Sequence, residues 1–340
     1  IELMKDGLPG TPSIDDFLAA SVPSGKTVGI NGMMFSTMRA GSLRAKLNIH
    51  GIELATGFDP IDRIWADRPA LPDAKIFIHD AKYAGLETSK KISDIISTLP
   101  SQQASSMFVS ALDEIAWTLN IRSNDVTYNP VATAFLYIAP DNGSVLFIDP
   151  AKLTDETTAY LASQGIKTMT YTAVMTFLAD LPADAKVLIE PNRTAEAVDT
   201  ALAGRSVHGT SPIAEMKACK NAVQIAGIKA AMQRDGVALV HSFMEIERRV
   251  AAEDGISELD IADILRRNRS AQPLFFDESF GTIAGYAAHG AIVHYEANET
   301  SSSPLHSKGL LLVDSGAQYL DGTTDITRTI TLGEPTADER

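Results

Sequence analysis

Leu310-Leu311-Leu312-Val313-Asp314-Ser315-Gly316-Ala317-Gln318-Tyr319-Leu320-Asp321-Gly322-Thr323-Thr324-Asp325-Ile326-Thr327-Arg328-Thr329 is the stretch on which the reading of this chain turns. An apolar run ends in a carboxylate. A segment with Ser315-Gly316 and Asp321-Gly322 follows, and a second strand-like run from Thr323 to Leu332 carries another carboxylate. Short β-rich runs separated by Gly-containing turns predict a β-hairpin. Asp314 and Asp325 are then expected on adjacent strands. Leu310 to Val313 is apolar at successive positions, so that strand is expected to be covered on both faces.

Two bare carboxylates ~4 Å apart repel by ~4 kcal/mol at an effective dielectric near 20. A divalent cation removes that penalty, and hard oxygen donors suit magnesium, manganese or cobalt. Spacing alone leaves a plainer alternative open, in which Asp314 only terminates a strand and Asp325 caps a turn.

A second block adds to the pattern: Ala111-Leu112-Asp113-Glu114-Ile115-Ala116-Trp117-Thr118-Leu119-Asn120-Ile121-Arg122, then Asp125 and Asn129-Pro130. Together with Val313 to Thr329, and with Gly290-Ala291-Ile292-Val293-His294-Tyr295, it closely resembles the three-domain Xaa-Pro aminopeptidases (aminopeptidase P). Ser123 and Thr118 stand where that family usually has glycine and leucine. The resemblance implies α/β and α+β architecture: creatinase/prolidase-N-terminal-like α/β domains followed by the first part of a pita-bread catalytic domain. It also implies a dinuclear centre of divalent metal ions, usually manganese, with Asp314 and Asp325 as ligands. Asp325 would be the bridge between the ions, and Thr327 would orient a ligand from behind it. By the same resemblance His294 assists at the leaving proline nitrogen, and Arg122 is a substrate-side residue. The implied substrate is a peptide with proline in second position, and the implied assembly is a homodimer.

Composition sets outer bounds. The chain has 340 residues, 45% hydrophobic and 21% charged, ordinary values for a globular protein. A net charge of −14 argues against a nucleic-acid backbone or an anionic membrane as partner. Cys219 is the single cysteine, so an intrachain disulfide is excluded, which suits a reducing, cytoplasmic setting. No apolar run has the length of a membrane span. No glycine-rich nucleotide-binding motif follows any strand.

Along the chain, residues 1–72 read as the C-terminal part of a first α/β domain, residues 73–210 as a second, and residues 211–340 as the N-terminal part of the pita-bread domain. Ile1 to Lys5 reads as the end of a helix, Ser13 to Asp16 as a capping pattern, and Trp65 as a packing residue. Ala134 to Ile138 and Val145 to Asp149 predict a hairpin closed by Asp141-Asn142-Gly143. Asp113 with Arg122 reads as an ion pair or as part of the active-site rim. Ile213 to Lys220 reads as a short helix holding Cys219 as an inert apolar residue.

The stripe Ile225, Ile228, Met232, Leu239, Phe243, Ile246 and Val250 predicts one long core-facing helix ending at Gly255, and Ser257 to Asp260 caps the next. Ala291 to Tyr295 reads as a strand with His294 at its end; His289 is given no role.

The expected function is metal-dependent removal of the first residue from Xaa-Pro peptides. A non-catalytic pita-bread module that binds peptides or proteins, or a prolidase, stays open as an alternative. The family completes its metal centre with a histidine and two glutamates, and no segment before Arg340 matches them. The chain is therefore expected to be an internal fragment, inactive by itself.

Overall fold

A computed structural model describes every residue except 1, 2, 6 and 142. Ile1 and Glu2 of the expected helix end, and Asn142 of the expected hairpin turn, lie outside the described residues. Leu3 to Lys5 are not helical. The chain divides into two compact units. The first comprises residues 1–76, 88–121 and 132–218; the second comprises residues 77–87, 122–131 and 219–340.

The apolar runs of the first unit build one mixed six-stranded sheet, in the order Ser206–His208, Val187–Ile189, Ser106–Val109, Ala134–Ile138, Val145–Ile148 and Lys167–Met169. Side chains alternate across a strand, and the sequence exploits this. Met107, Val109, Leu136, Ile138, Leu146 and Ile148 enter one apolar cluster. Phe108, Phe135, Tyr137, Val145 and Phe147 enter another. A sheet covered on both faces needs runs without polar interruption, which is what these strands have. Ala134–Ile138 and Val145–Ile148 pair antiparallel, as a hairpin requires.

In residues 1–76, Thr27–Gly29 and Glu53–Ala55 form a parallel pair. Ser36 caps the helix Thr37–Ile49, whose Ala40, Leu43 and Leu47 pack with Ile30 and Ile52. Ser13 caps Ile14–Ser21 by accepting from the Asp16 amide. Trp65 is 46% exposed and so is not a packed residue. Asp113 pairs with Lys217 at 2.6 Å. Cys219 is exposed and lies just past the helix Pro212–Ala218, so it is not a packed apolar residue within it.

In the second unit, Asn221 and Gln224 form a capping box at the start of a 30-residue helix, Ala222–Ala251. It stops short of Gly255. Its buried face keeps Leu239, Ile246 and Val250 of the expected stripe but departs from it in the first half of the helix. That face is Ala231, Asp235, Ala238, Leu239, Ser242, Ile246 and Val250, while Ile225 is 44% and Met232 41% exposed. Phe243 is only partly buried. Close approach explains the difference. A Cβ on Gly227 would lie 2.3 Å from the Asp321 carbonyl oxygen, so the first half of the helix meets another backbone where only small residues fit. Asp235 is there to hold Arg269 in a fully buried ion pair (2.8 and 3.1 Å), with the Tyr319 hydroxyl donating to the same carboxylate at 3.0 Å. Ser257 and Asp260 form the capping box of the helix Glu258–Ser270.

These two helices share an apolar cluster with Leu311 and Val313 of a three-stranded antiparallel sheet, Ile283–Tyr286, Leu310–Ser315 and Ile326–Thr331. A second small sheet holds Phe275–Glu278, Ala317–Tyr319 and Gly322–Thr323. The quoted stretch therefore folds as a hairpin within a hairpin: 317–319 pairs with 322–323, and 310–315 pairs with 326–331.

Candidate metal centre

Burial along Leu310–Ser315 alternates, with Leu311, Val313 and Ser315 buried and the others half-buried. The strand is thus covered on one face rather than two, and Asp314 stands on its more open face. Asp314 pairs directly with Thr327, so both point to the same side of the sheet. Asp325 immediately precedes the strand Ile326–Thr331, two positions from Thr327, and shares its side by the period of a strand. Asp314 and Asp325 both line one cavity of about 670 Å³.

The turn that places Asp325 is fixed by backbone contact. The Thr324 hydroxyl accepts from the Ala317 amide (2.9 Å), and the Ser279 hydroxyl donates to the Thr324 carbonyl (2.8 Å). A Cβ on Gly316 would lie 2.0 Å from the Thr324 carbonyl oxygen and 2.2 Å from the Ser279 hydroxyl, so residue 316 must be glycine.

Among the described residues no ion pair reaches Asp314 or Asp325, although Arg266 pairs with the cavity-lining Glu278. Asp314 Oδ1 is buried without a hydrogen-bond partner among the described residues. An unpaired carboxylate oxygen in that setting fits a hard divalent cation. Among the described residues, no group of three or more His, Cys, Asp or Glu side chains is arranged to hold a metal ion.

His294 also lines the cavity, but not from a strand. Ala287–Ala291 is a short 3-10 helix, and the residues after it form an exposed turn in which Val293 is 83% exposed. His294 itself sits in the left-handed region, at φ 55°. The three apolar residues before it mimicked a strand, but Ile292 and Val293 are not covered. Thr327 is exposed beside Asp314's strand. Arg122 is not among the residues lining the cavity, whereas Tyr128 of the same segment is. Burial lowers the pKa of Arg122 to about 10, which leaves the guanidinium charged at neutral pH.

Three lining carboxylates were missed by sequence reasoning: Glu258, Glu278 and Glu296. Glu278 ends the strand Phe275–Glu278; its Oε2 pairs with Arg266 at 3.0 Å and its Oε1 is buried without a partner among the described residues. Glu258 lies in a pattern that reads only as a helix cap.

Known proteins resemble this chain in sequence and in fold. Residues 67–224 match the creatinase/prolidase N-terminal domain, and residues 226–340 match metallopeptidase family M24. The chain is 36% identical over 373 residues to aminopeptidase P2 of Arabidopsis thaliana, covering 99% of this chain and 52% of that protein. It is 35% identical over 353 residues to a Sordaria macrospora protein named as a probable Xaa-Pro aminopeptidase P, covering 99% of this chain and 57% of the relative. The chain thus spans about half the length of the curated relatives it matches.

In structure it is similar to the X-prolyl aminopeptidase of Caenorhabditis elegans, described as a cytosolic enzyme with a di-nuclear active site. The TM-score is 0.90 at 28% identity, over 99% of this chain and 56% of the other. The prolidase of Pyrococcus horikoshii shares the fold at 17% identity and a TM-score of 0.56, over 74% of this chain and 67% of that one. Over nearly its whole length the chain is thus similar to aminopeptidase P proteins, with a match to the creatinase/prolidase N-terminal domain followed by a match to metallopeptidase family M24.

Proposed function

We propose that this chain is part of a metal-dependent aminopeptidase that removes the first residue from peptides with proline in second position. The observation that carries the reading is the meeting of Asp314, Asp325 and His294 on one cavity, with an oxygen of Asp314 left without a proton donor. The likeness to aminopeptidase P proteins over 99% of the chain supports it.

Asp314 and Asp325 would hold the divalent ions, and manganese suits their all-oxygen character. Bound there, such ions supply Lewis acidity: they polarise a carbonyl and lower the pKa of water. The chain's own residues do the rest. Asp314 is set within an antiparallel pair, and Asp325 in the turn that leads into its partner strand. Thr327, opposite Asp314, steadies that carboxylate. His294, at the cavity wall, holds or passes a proton at the proline nitrogen, which as a tertiary amide carries none of its own. Arg122 contributes a fixed positive charge on the substrate side. The proposal extends to a homodimer in the cytoplasm, and to division of the chain into segments 1–72, 73–210 and 211–340. No described helix is long and apolar enough to cross a membrane.

Two carboxylates hold a divalent ion weakly, so the 340 residues by themselves are expected not to turn over substrate. The test is release of the first residue from Xaa-Pro peptides by the full-length protein. Cleavage that chelation removes and added manganese restores is the expected result. Cleavage restricted to dipeptides, or none with metal present, would overturn the reading.

A further inference from the structure

Glu258 opens the helix Glu258–Ser270, where the helix dipole favours negative charge. Its side chain is fully buried. Four donors converge on it: the Tyr286 amide at 2.7 Å from Oε1, His289 Nδ1 at 2.9 Å from Oε1, the Tyr295 hydroxyl at 3.0 Å from Oε2, and the Ser303 amide at 2.8 Å from Oε2. A carboxylate offers about four acceptor sites, so this one is saturated and has none left for a metal or a substrate.

The donors are not neighbours in sequence. Tyr286 and His289 precede His294; Tyr295 and Ser303 follow it. The His289 and Tyr295 rings stack across the gap, with centroids 4.4 Å apart at 26°. The Glu258 amide donates back to the Ser303 carbonyl (3.2 Å), and the Leu305 amide to the Ile256 carbonyl (2.8 Å).

Between these anchors lies a segment without a ladder of its own: the 3-10 turn, the exposed Ile292 and Val293, and His294 at φ 55°. A histidine keeps a left-handed backbone only where its surroundings impose it. The geometry points to Glu258 as a positioning residue, its buried carboxylate clamping the 286–303 segment on both sides of His294 and so setting the imidazole in the cavity. His289, given no role by sequence, is one jaw of this clamp. The inference rests on the reading above that His294 acts on the peptide.

Glu258→Gln in the full-length, metal-loaded protein tests it. The isosteric amide turns donors toward donors. Hydrogen exchange across residues 287–303 should rise about tenfold or more. Turnover should fall by about 10- to 100-fold with KM changed less than about twofold, because misplacement of a reacting group costs on that scale. Metal content should be unchanged. In a His294→Ala background the same substitution should lower turnover by less than about twofold, since it acts through the histidine.

His289→Phe keeps the stack but removes one donor, and serves if Glu258→Gln does not fold; the same changes are expected, about three- to tenfold. Multiplicative losses in the double variant, or unaltered exchange at 287–303, would overturn the inference. A fully active His294→Ala protein would overturn the functional reading instead. Exchange at 287–303 then judges the clamp alone, with a rise supporting it and no rise ending it.

Discussion

In the six-stranded sheet, Ser106–Val109, Ala134–Ile138 and Val145–Ile148 are buried at every position. In the sheet that carries Asp314, burial along Leu310–Ser315 falls on alternate residues only. The first sheet is built for stability and leaves no face for chemistry. The second gives one face to an apolar core and frees the other for polar side chains, including a carboxylate oxygen with no partner. A site needs both properties, a rigid strand and an uncovered face, and only the half-buried sheet supplies them.

The contrast can be broken most sharply at Asp235. In the second unit a buried charge does the work that apolar packing does in the first. Asp235→Ala leaves Arg269 unpaired in the interior and should destabilise by about 3–5 kcal/mol, read as a lowered denaturant midpoint of that unit. An effect below about 1 kcal/mol would mean that the pair is structurally dispensable.

Leu146→Ala probes the other side. Leu146 is fully buried in the first unit, and the loss should be about 2–5 kcal/mol with no effect on metal affinity. Gly316→Ala drives a Cβ into the Thr324 carbonyl oxygen. It should cost about 1–3 kcal/mol and, unlike the leucine change, weaken metal binding by displacing Asp325.

Asp314→Asn sharpens the comparison by sign. Without metal it should be neutral or stabilising by about 1 kcal/mol, because it removes a charge from a buried oxygen that has no hydrogen-bond partner among the described residues.

The smallest effect is on pH dependence. Burial opposes the charge on Glu258, but the Tyr286 and Ser303 amides, with His289 and Tyr295, outweigh it and hold its pKa below the ordinary glutamate value. A pKa lowered on folding contributes stability that is complete above the unfolded value and is lost as pH falls through the folded one. The unfolding midpoint should therefore drop more steeply from about pH 5 to about pH 3 in the parent sequence than in Glu258→Gln. Parallel curves would contradict the assigned shift.

Sequence revealed the elements where one periodicity was unopposed. The apolar runs of the six-stranded sheet, the Asn221 and Ser257 caps and the pairing that carries Asp314 are examples. It misled where a tertiary contact overrode the pattern. Met232 matched the large-residue stripe, yet the helix meets backbone at Gly227 and turns small residues inward. Ile292 and Val293 looked like a strand but stand exposed, because the segment is held by Glu258 and not by a ladder. The expectation for the two aspartates came from the resemblance of the segment around them, because spacing alone left a plainer alternative open. Glu258 was not legible, because a capping pattern conceals what its side chain does beyond the helix.

The central claim is that Asp314 and Asp325 share the grip on divalent cations. It is tested most directly by metal analysis of the purified full-length protein beside its Asp314→Asn and Asp325→Asn variants. Near-stoichiometric divalent metal in the parent and loss of most of it in each variant is the predicted result. Variants that retain the parent's full metal content would contradict it.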